Sequence, residues 1–349
     1  MVMPLPQTTR QYYLPKFDGV HNLTMREAVV TPPKHSEVLV KIHAASLQFR
    51  DLLLAKGKYP VPAIKENVVP LCDMAGEIIA VGDEVEEWKV GDRVCANFWV
   101  DHIFGEFKSG YLLSALGAPI DGVLTEYKVF PVHCLVRAPD HLSYEEASTL
   151  PCAALTAYTA LQGSIPAKGG DTVLIQGTGG VAIFGLQFAI ALGATVIATS
   201  SSDAKLKVAA RLGAKHLINY KTMPDWDEEV LRITNGRGVD HVIEVGGSGT
   251  LTKSLNSVCY GGSVHVVGVV AADGDISTLP QQVMLKNASL HGVIVGSRVQ
   301  FEAMNRLISA NLIKPVVDKV FPFEDAQKAY EHLDSQKHVG KVVIKISKD

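Results

Sequence analysis

Residues 172–182 read Thr-Val-Leu-Ile-Gln-Gly-Thr-Gly-Gly-Val-Ala, and no other stretch narrows so far what this chain can fold into. An apolar run rich in β-branched residues, Thr172 to Ile175, enters the turn Gly177-Thr178-Gly179-Gly180, and an apolar helical segment leaves it. The order predicts strand, tight turn and helix start. Gly177 permits the sharp turn, and Gly179 lets a ligand approach the backbone. The helix start at Gly180 offers free N–H groups and partial positive charge. Ala182 fills the third small position of the G-x-G-x-x-G/A pattern, so that helix can pack on strand. Glycine turns are common on their own. With these flanks, and with more strand–helix units following, the segment points to the pyrophosphate of a nicotinamide dinucleotide.

The surrounding rhythm supports two domains, as a length of 349 residues also suggests. Residues 25–45 and 68–100 hold short strand-like runs broken by Gly, Pro and charged turns, among them EVLVKIHAAS, AGEIIAVG and RVCANFWV. They predict an antiparallel, barrel-like domain. From about residue 170 strands alternate with helices: TVLIQ, TVIAT, HLIN, DHVIEV, SVHVVGV and SLHGVIV are the strands. Helices are expected at 180–192, 203–212, 225–234 and 249–258, giving a doubly wound parallel sheet. Residues 301–313 and 324–335 read as helices, and VGKVVIKI as a closing strand that returns to the first domain. The expected boundaries are 1–131 with 297–349 for the first domain and 132–296 for the second.

Composition excludes several classes. A net charge of −3, with no basic run, argues against a nucleic-acid partner. Five widely spaced cysteines suit a reducing compartment better than a disulfide framework. The segment MVMPLPQTTRQYYLP lacks the long apolar core of a secretory signal, so a cytoplasmic location is expected. Residues 180–199 are nearly all apolar, but Gly193 separates helix from strand there, and no membrane span is expected.

The chain resembles the medium-chain dehydrogenase/reductase family, the superfamily of zinc alcohol dehydrogenases and quinone oxidoreductases. The resemblance runs through GEIIAVGDEVEEWKVGDRV (76–94), LPCAALTAY (150–158), GTGGVAIFGLQFA, VIEVGG (242–247) and the terminal GKVVIKI. It implies a Rossmann domain beside a GroES-like antiparallel barrel, an NAD(P)(H)-dependent oxidoreductase activity and a homodimer paired through the last sheet strand, Ser289–Gly296. Zinc members supply Cys, His-Glu and Cys to the metal; here those slots hold Gln48, Cys72-Asp73 and Cys152. Gln is a poor zinc ligand, and residues 90–115 contain only Cys95 where a structural zinc lobe would need four cysteines. No zinc is expected, although Cys72, Asp73 and Cys152 are in principle a three-ligand set.

For the cofactor, the end of the second strand falls on Ser200 instead of an acid, with Ser201, Ser202 and Lys205 close by. Hydroxyls and a lysine suit a 2′-phosphate, so NADPH is expected, with NADH possible through Asp203. A plain helix N-cap at Ser202 or Asp203, with Lys205 solvated, is a second reading of these residues, compatible with the first. The resemblance implies further cofactor contacts at Thr156, Gly177, Thr178, Gly179, Gly180, Val181, Val245, Gly246, Val267 and Gly268. Tyr220, Arg298 and Lys341 are implied too, Lys341 being equally readable as a surface residue. Without a metal, hydrogen-bond donors must stabilise charge on the substrate oxygen. The candidates are Gln48, Arg50, Asp51 and Tyr59. Arg50 with Asp51 can also be read as a structural ion pair, and Tyr59 as packing. Spreading charge into an enolate favours an enone or quinone reductase over a carbonyl reductase or alcohol dehydrogenase; a non-catalytic nucleotide-binding protein is the third reading. Phe98, Trp99, Phe104 and Phe107 suggest a small, apolar or aromatic carbonyl substrate, or else a filled core.

Overall fold

The computed structural model describes residues 5–61, 63–271 and 273–347. The chain folds into two compact units, Met1–Leu155 with Gly296–Asp349, and Thr156–Val295. In the first unit, β1 (Thr8–Tyr13) and β2 (Thr24–Val29) pair antiparallel. β3 (Glu37–Ser46), β4 (Asp73–Val81), β5 (Arg93–Ala96), β6 (Tyr127–Pro131) and β7 (Leu135–Arg137) build the main sheet. In the second unit come β8 (Thr172–Gln176), β9 (Thr195–Ser200), β10 (His216–Asn219), β11 (Val239–Glu244), β12 (Val258–Val266) and β13 (Ser289–Gly292). The chain then returns to the first unit with β14 (Val317–Pro322) and β15 (Lys341–Lys345).

The first sheet runs β14-β15-β3-β4-β5-β7, with β6 also on β3. β3 is its spine: it pairs antiparallel with β15, β4 and β6. The composition explains why. Val38, Leu39, Val40 and Ile42 are all fully buried, so both faces of the strand are covered and an apolar run replaces alternation. The register against β4 shifts at Leu39/Val40 and at Ile42/Ala44, and such bulges bend a sheet toward barrel curvature.

Residues 132–155, expected on the side of the second domain, group instead with the first unit. The cause is pairing: β7 adds to β5 antiparallel. Two further ties are the hydrogen bonds from Ser46 Oγ to Ser148 O (3.1 Å) and from Cys95 Sγ to Ala147 O (3.4 Å).

The second unit is a six-stranded, all-parallel sheet in the order β10-β9-β8-β11-β12-β13, which is the 3-2-1-4-5-6 order of a Rossmann fold. The six expected strands all form. Their connecting helices include Gly180–Ala191, Asp203–Arg211, Trp226–Ile233 and Leu251–Ser257. Leu174, Ile197, Val242 and Val264 from the strands pack with Trp226, Val230 and Leu255 from the helices. The apolar run at 180–199 breaks where Gly193 takes φ +83°, between helix and β9. Among the described residues no helix is long and apolar enough to cross a membrane.

Candidate active site

The second unit carries a dinucleotide cradle at the ends of its central strands. β8 stops at Gln176, and Gly177 turns the chain at φ +77°, a region L side chains avoid. Its N–H donates to Thr199 O at 2.9 Å, tying the turn to the end of β9. A Cβ built on Gly177 or Gly179 meets nothing within 4 Å, so open space lies against the backbone there. Gly179 is the N-cap of the helix Gly180–Ala191 and gives it no side-chain cap. The first N–H groups of the helix are left for an anion. Thr178 is buried, whereas Gly180 and Val181 are half-exposed, and Ala182 at 3% exposure seats the helix on the sheet. Room, free donors and helix polarity together fit a pyrophosphate.

At the end of β9, Ser200 is buried and Ser201 and Lys205 are half-buried. Ser202 is the N-cap of the helix Asp203–Arg211, as the N-cap reading expects, but it makes no side-chain cap bond. Asp203 Oδ1 instead accepts from Asn219 Nδ2 at 2.7 Å. Tyr220 is exposed beyond β10, with its N–H on Ser200 O at 3.1 Å.

At the end of β11 stands a residue the sequence reading missed. Glu244 is fully buried. Its Oε1 accepts from the N–H of Gly246 (2.6 Å), the N–H of Gly247 (3.0 Å) and Thr250 Oγ1 (2.6 Å). Its Oε2 accepts from Gln176 Nε2 (2.8 Å) and Ser254 Oγ. Gln176 Oε1 in turn accepts from Val245 N–H at 3.2 Å. Glu244 and Gln176 thus fix the backbone of Val245 and Gly246, and Val267 joins through its N–H to Glu244 O at 2.9 Å. A Cβ on Gly268 would stand 2.9 Å from Val245 O, so the two turns touch closely. The signal was present: an acid closing an apolar strand just before two glycines. Thr156 lies buried in the helix Leu155–Gln162.

The first unit links the expected catalytic residues in a row of contacts, Gln48 to Asp51, Asp51 to Arg50 and Arg50 to Tyr59. Gln48 is the N-cap of the helix Phe49–Ala55, and its N–H donates to Asp51 Oδ2 at 2.7 Å. Its side-chain Nε2 donates to Asp73 Oδ2, which also accepts from Ser46 Oγ at 3.1 Å. Lys341 is not a surface residue: at 2% exposure its Nζ donates to Leu47 O and lies 3.7 Å from the same Asp73 oxygen. Asp51 is fully buried, which pushes its carboxyl up to about 6 against the pull of Arg50.

Arg50 Nη1 donates to Leu116 O at 3.1 Å and stands 3.5 Å from Asp51 Oδ1, so the ion pair exists. It does not satisfy the guanidinium, because Nε and Nη2 are buried without a hydrogen-bond partner. The group lies 4.6 Å from the Tyr59 ring centre and 5.0 Å from that of Phe98. Tyr59 is half-buried, and burial raises its hydroxyl above the ordinary value. Phe98 and Trp99 are buried, with Trp99 edge-on to Phe107 at 5.1 Å, whereas Phe104 is 71% exposed. Arg298 is occupied by Glu302 (3.0 Å), His133 O (3.2 Å) and Glu87 (3.8 Å).

The Cys72 thiol donates to Asp73 Oδ1 at 3.0 Å, and the ligand atoms of Cys72, Asp73 and Cys152 lie within 4.8 Å of one another. Burial first, then the contacts with Cys152 and Asp73, push the Cys72 thiol well above its usual range. Two sulfurs and a carboxylate are zinc-type donors. Both Asp73 oxygens, however, already accept hydrogen bonds, one of them from the Gln48 amide in the remaining family slot. The misfit to zinc lies in the fourth family slot, where the Gln48 amide, bonded to Asp73, stands in place of a thiolate.

A Rossmann cradle and a buried polar cluster on a GroES-like sheet define a class of nucleotide-dependent oxidoreductases. The "Alcohol dehydrogenase GroES-like domain" family model matches residues 34–140, and the "Zinc-binding dehydrogenase" model matches residues 180–310. A zinc-type alcohol dehydrogenase-like protein of Schizosaccharomyces pombe is 48% identical over 315 residues, covering 89% of this chain and 91% of the relative. An acryloyl-coenzyme A reductase of Metallosphaera sedula is 30% identical over 327 residues, covering 92% and 95%. A solved structure of the 2-octenoyl-CoA carboxylase reductase CinF, in complex with NADP and 2-octenoyl-CoA, superposes with a TM-score of 0.84 at 25% identity, covering 98% and 88%. The chain belongs to the medium-chain dehydrogenase/reductase family of NAD(P)(H)-dependent oxidoreductases.

Proposed function

We propose that the protein is an NADPH-dependent reductase of α,β-unsaturated carbonyl compounds or quinones that works without a catalytic metal. The observation that carries this reading is Arg50, whose Nε and Nη2 are buried without partners beside Tyr59 and Phe98. A fixed cation with unspent donors suits an oxygen on which negative charge builds, because it needs no reorganisation as the charge appears. When bound, a reduced nicotinamide supplies a hydride equivalent to an electrophilic carbon. Conjugate addition spreads the resulting charge into an enolate, which needs less help than an alkoxide does from a Lewis acid.

Each residue of the cluster then has a task. Arg50 holds the enolate oxygen. Tyr59 keeps its proton at neutral pH, since burial raises it, and gives that proton to the product. Gln48 and Asp51 fix the start of the helix that carries Arg50, and Lys341 balances the charge of Asp73. Phe98 offers an apolar wall to the carbon skeleton. In the second unit the Gly177–Val181 turn takes the pyrophosphate, and Ser200, Ser201 and Lys205 take a 2′-phosphate. The engagement of Asp203 by Asn219 weakens the case for NADH. Relatives named for acryloyl-CoA and 2-octenoyl-CoA act on conjugated thioesters, which supports the same acceptor class. We read the molecule as a cytoplasmic homodimer.

A carbonyl reductase or alcohol dehydrogenase is the second reading, favoured by the proximity of Cys72, Asp73 and Cys152. One experiment separates them: metal analysis of the purified protein, together with NADPH oxidation on an enone before and after chelator dialysis. The proposal expects less than stoichiometric zinc and an unchanged rate. One zinc per chain with chelator-sensitive turnover contradicts it.

A further inference from the structure

We propose that Cys72 and Cys152 form an oxidisable dithiol, which a peroxide converts into an intramolecular Cys72–Cys152 disulfide. The proposal does not depend on which carbonyl compound the enzyme reduces. Its two sulfurs lie within 4.8 Å of each other, with the Cys72 side chain aimed at Asp73 Oδ1 and held there at 3.0 Å. The remaining three thiols are buried and turned to other acceptors: Cys95 to Ala147 O, Cys134 to Pro131 O and Cys259 toward Asp240. Cys152 is partly exposed and Cys72 is fully buried. That pairing gives an entry sulfur for a small oxidant and a sheltered sulfur to resolve it.

The local backbone supports movement of one partner and fixation of the other. Cys152 sits in a π-helical turn, Leu150–Ala154, a conformation often found at functional positions. Cys72 follows Leu71, which takes φ +69°, unusual for a non-glycine residue. A Cβ built on Gly117 would stand 2.5 Å from Leu71 O, so the segment before Cys72 is wedged in place. Closing the sulfurs to a bond of about 2.05 Å is therefore a task for the π turn.

The chemistry balances in two steps. The Cys152 thiolate attacks the O–H oxygen of the peroxide, the O–O bond breaks, and Cys152 becomes a sulfenic acid as the other oxygen leaves as hydroxide or alkoxide and takes up the proton that Cys152 gave to water. Cys72 sulfur then attacks the Cys152 sulfur and the S–OH bond breaks. The Cys72 proton, already directed at Asp73 Oδ1, passes through that carboxylate to the leaving hydroxide, which departs as water. Two thiols are oxidised and one peroxide is reduced.

The test treats the intact protein with hydrogen peroxide, alkylates free thiols and maps the peptides without reduction. The expected result is a Cys72–Cys152 linked peptide that dithiothreitol removes, with Cys95, Cys134 and Cys259 still alkylated. Cys152→Ser abolishes the link. Cys72→Ala leaves a Cys152 sulfenic acid that dimedone traps, and this holds the proposal open to test even if Cys152→Ser folds poorly. Persistence of both thiols, with or without prior chelator treatment, overturns the proposal. So does a Cys152 sulfinic acid formed without cross-linking, or a link to any other cysteine.

Discussion

Arg50 is buried at 9% exposure with two donor nitrogens unused, an arrangement that costs stability unless a ligand supplies the acceptor. Its replacement tests the proposed role directly. Arg50→Lys keeps the charge but loses the fork, and kcat is expected to fall about 100-fold with a smaller change in KM, the usual loss for one transition-state donor. Steady-state kinetics on an enone checks this, and an unchanged kcat contradicts it. A second residue-scale prediction concerns a row of histidines on neighbouring strands. His241 Nδ1 and His265 Nε2 are 3.1 Å apart, the rings of His265 and His291 stack at 5.7 Å, and Asp171 lies 3.5 Å from His241. Burial, then the neighbouring His241 and His291, push His265 down to about 3. The fold holds the ring neutral, whereas the unfolded chain protonates it near pH 6.5. Its stability contribution is therefore complete above pH 6.5 and is lost as pH falls toward 3, on the order of 4 kcal/mol. Urea midpoints measured from pH 7.5 to 4 should fall less steeply for His265→Asn than for the native chain. Equal slopes would sink this account. At this scale the sequence motif led to Gln48, Arg50, Asp51 and Tyr59. The burial of Lys341 stayed hidden because its partners Leu47 and Asp73 are distant in sequence, whereas Glu244 bonds mainly to the residues that follow it and was overlooked in VIEVGG.

The glycine turn and the end of β9 act as elements, each presenting a row of groups that no single residue supplies. Gly177→Ala places a Cβ in the left-handed region, at a cost of roughly 1–2 kcal/mol per residue, and fills space open to a ligand. Fluorescence titration should show NADPH binding at least tenfold weaker. Unchanged affinity would contradict the assignment of that turn. Ser200→Asp puts an anion at the end of β9 and should reverse the NADPH/NADH preference, read from the two kcat/KM values. If preference for NADPH survives, Ser200 does not face a 2′-phosphate. These elements were legible because their causes are local. A period-2 run, a glycine turn and a following helix are all visible in TVLIQGTGGVA. β14 and β7 were less legible: β14 carries Asp318 and Lys319 within its run, and β7, only three residues long, becomes a strand by pairing with β5. That non-local pairing is also why residues 132–155 group with the first unit. The four aromatics read together from the sequence also divide, since Phe98 and Trp99 are buried and Phe104 is not.

For the whole molecule, the parallel sheet ends at β13, which among the described residues pairs only with β12. Such an edge invites pairing with a second copy. Leu290, 38% exposed on β13, and Ile294, 49% exposed just beyond it, add apolar surface there. Leu290→Pro should dissociate a homodimer in sedimentation velocity while each chain remains folded, and an intact dimer in that variant would contradict pairing through β13. The proposed reaction sends reducing equivalents to carbon without a metal. One incubation addresses it: the purified protein, NADPH and a simple α,β-unsaturated ketone, with the product identified by NMR and mass spectrometry. The account predicts a saturated ketone, and an allylic alcohol would contradict it by placing delivery at the carbonyl.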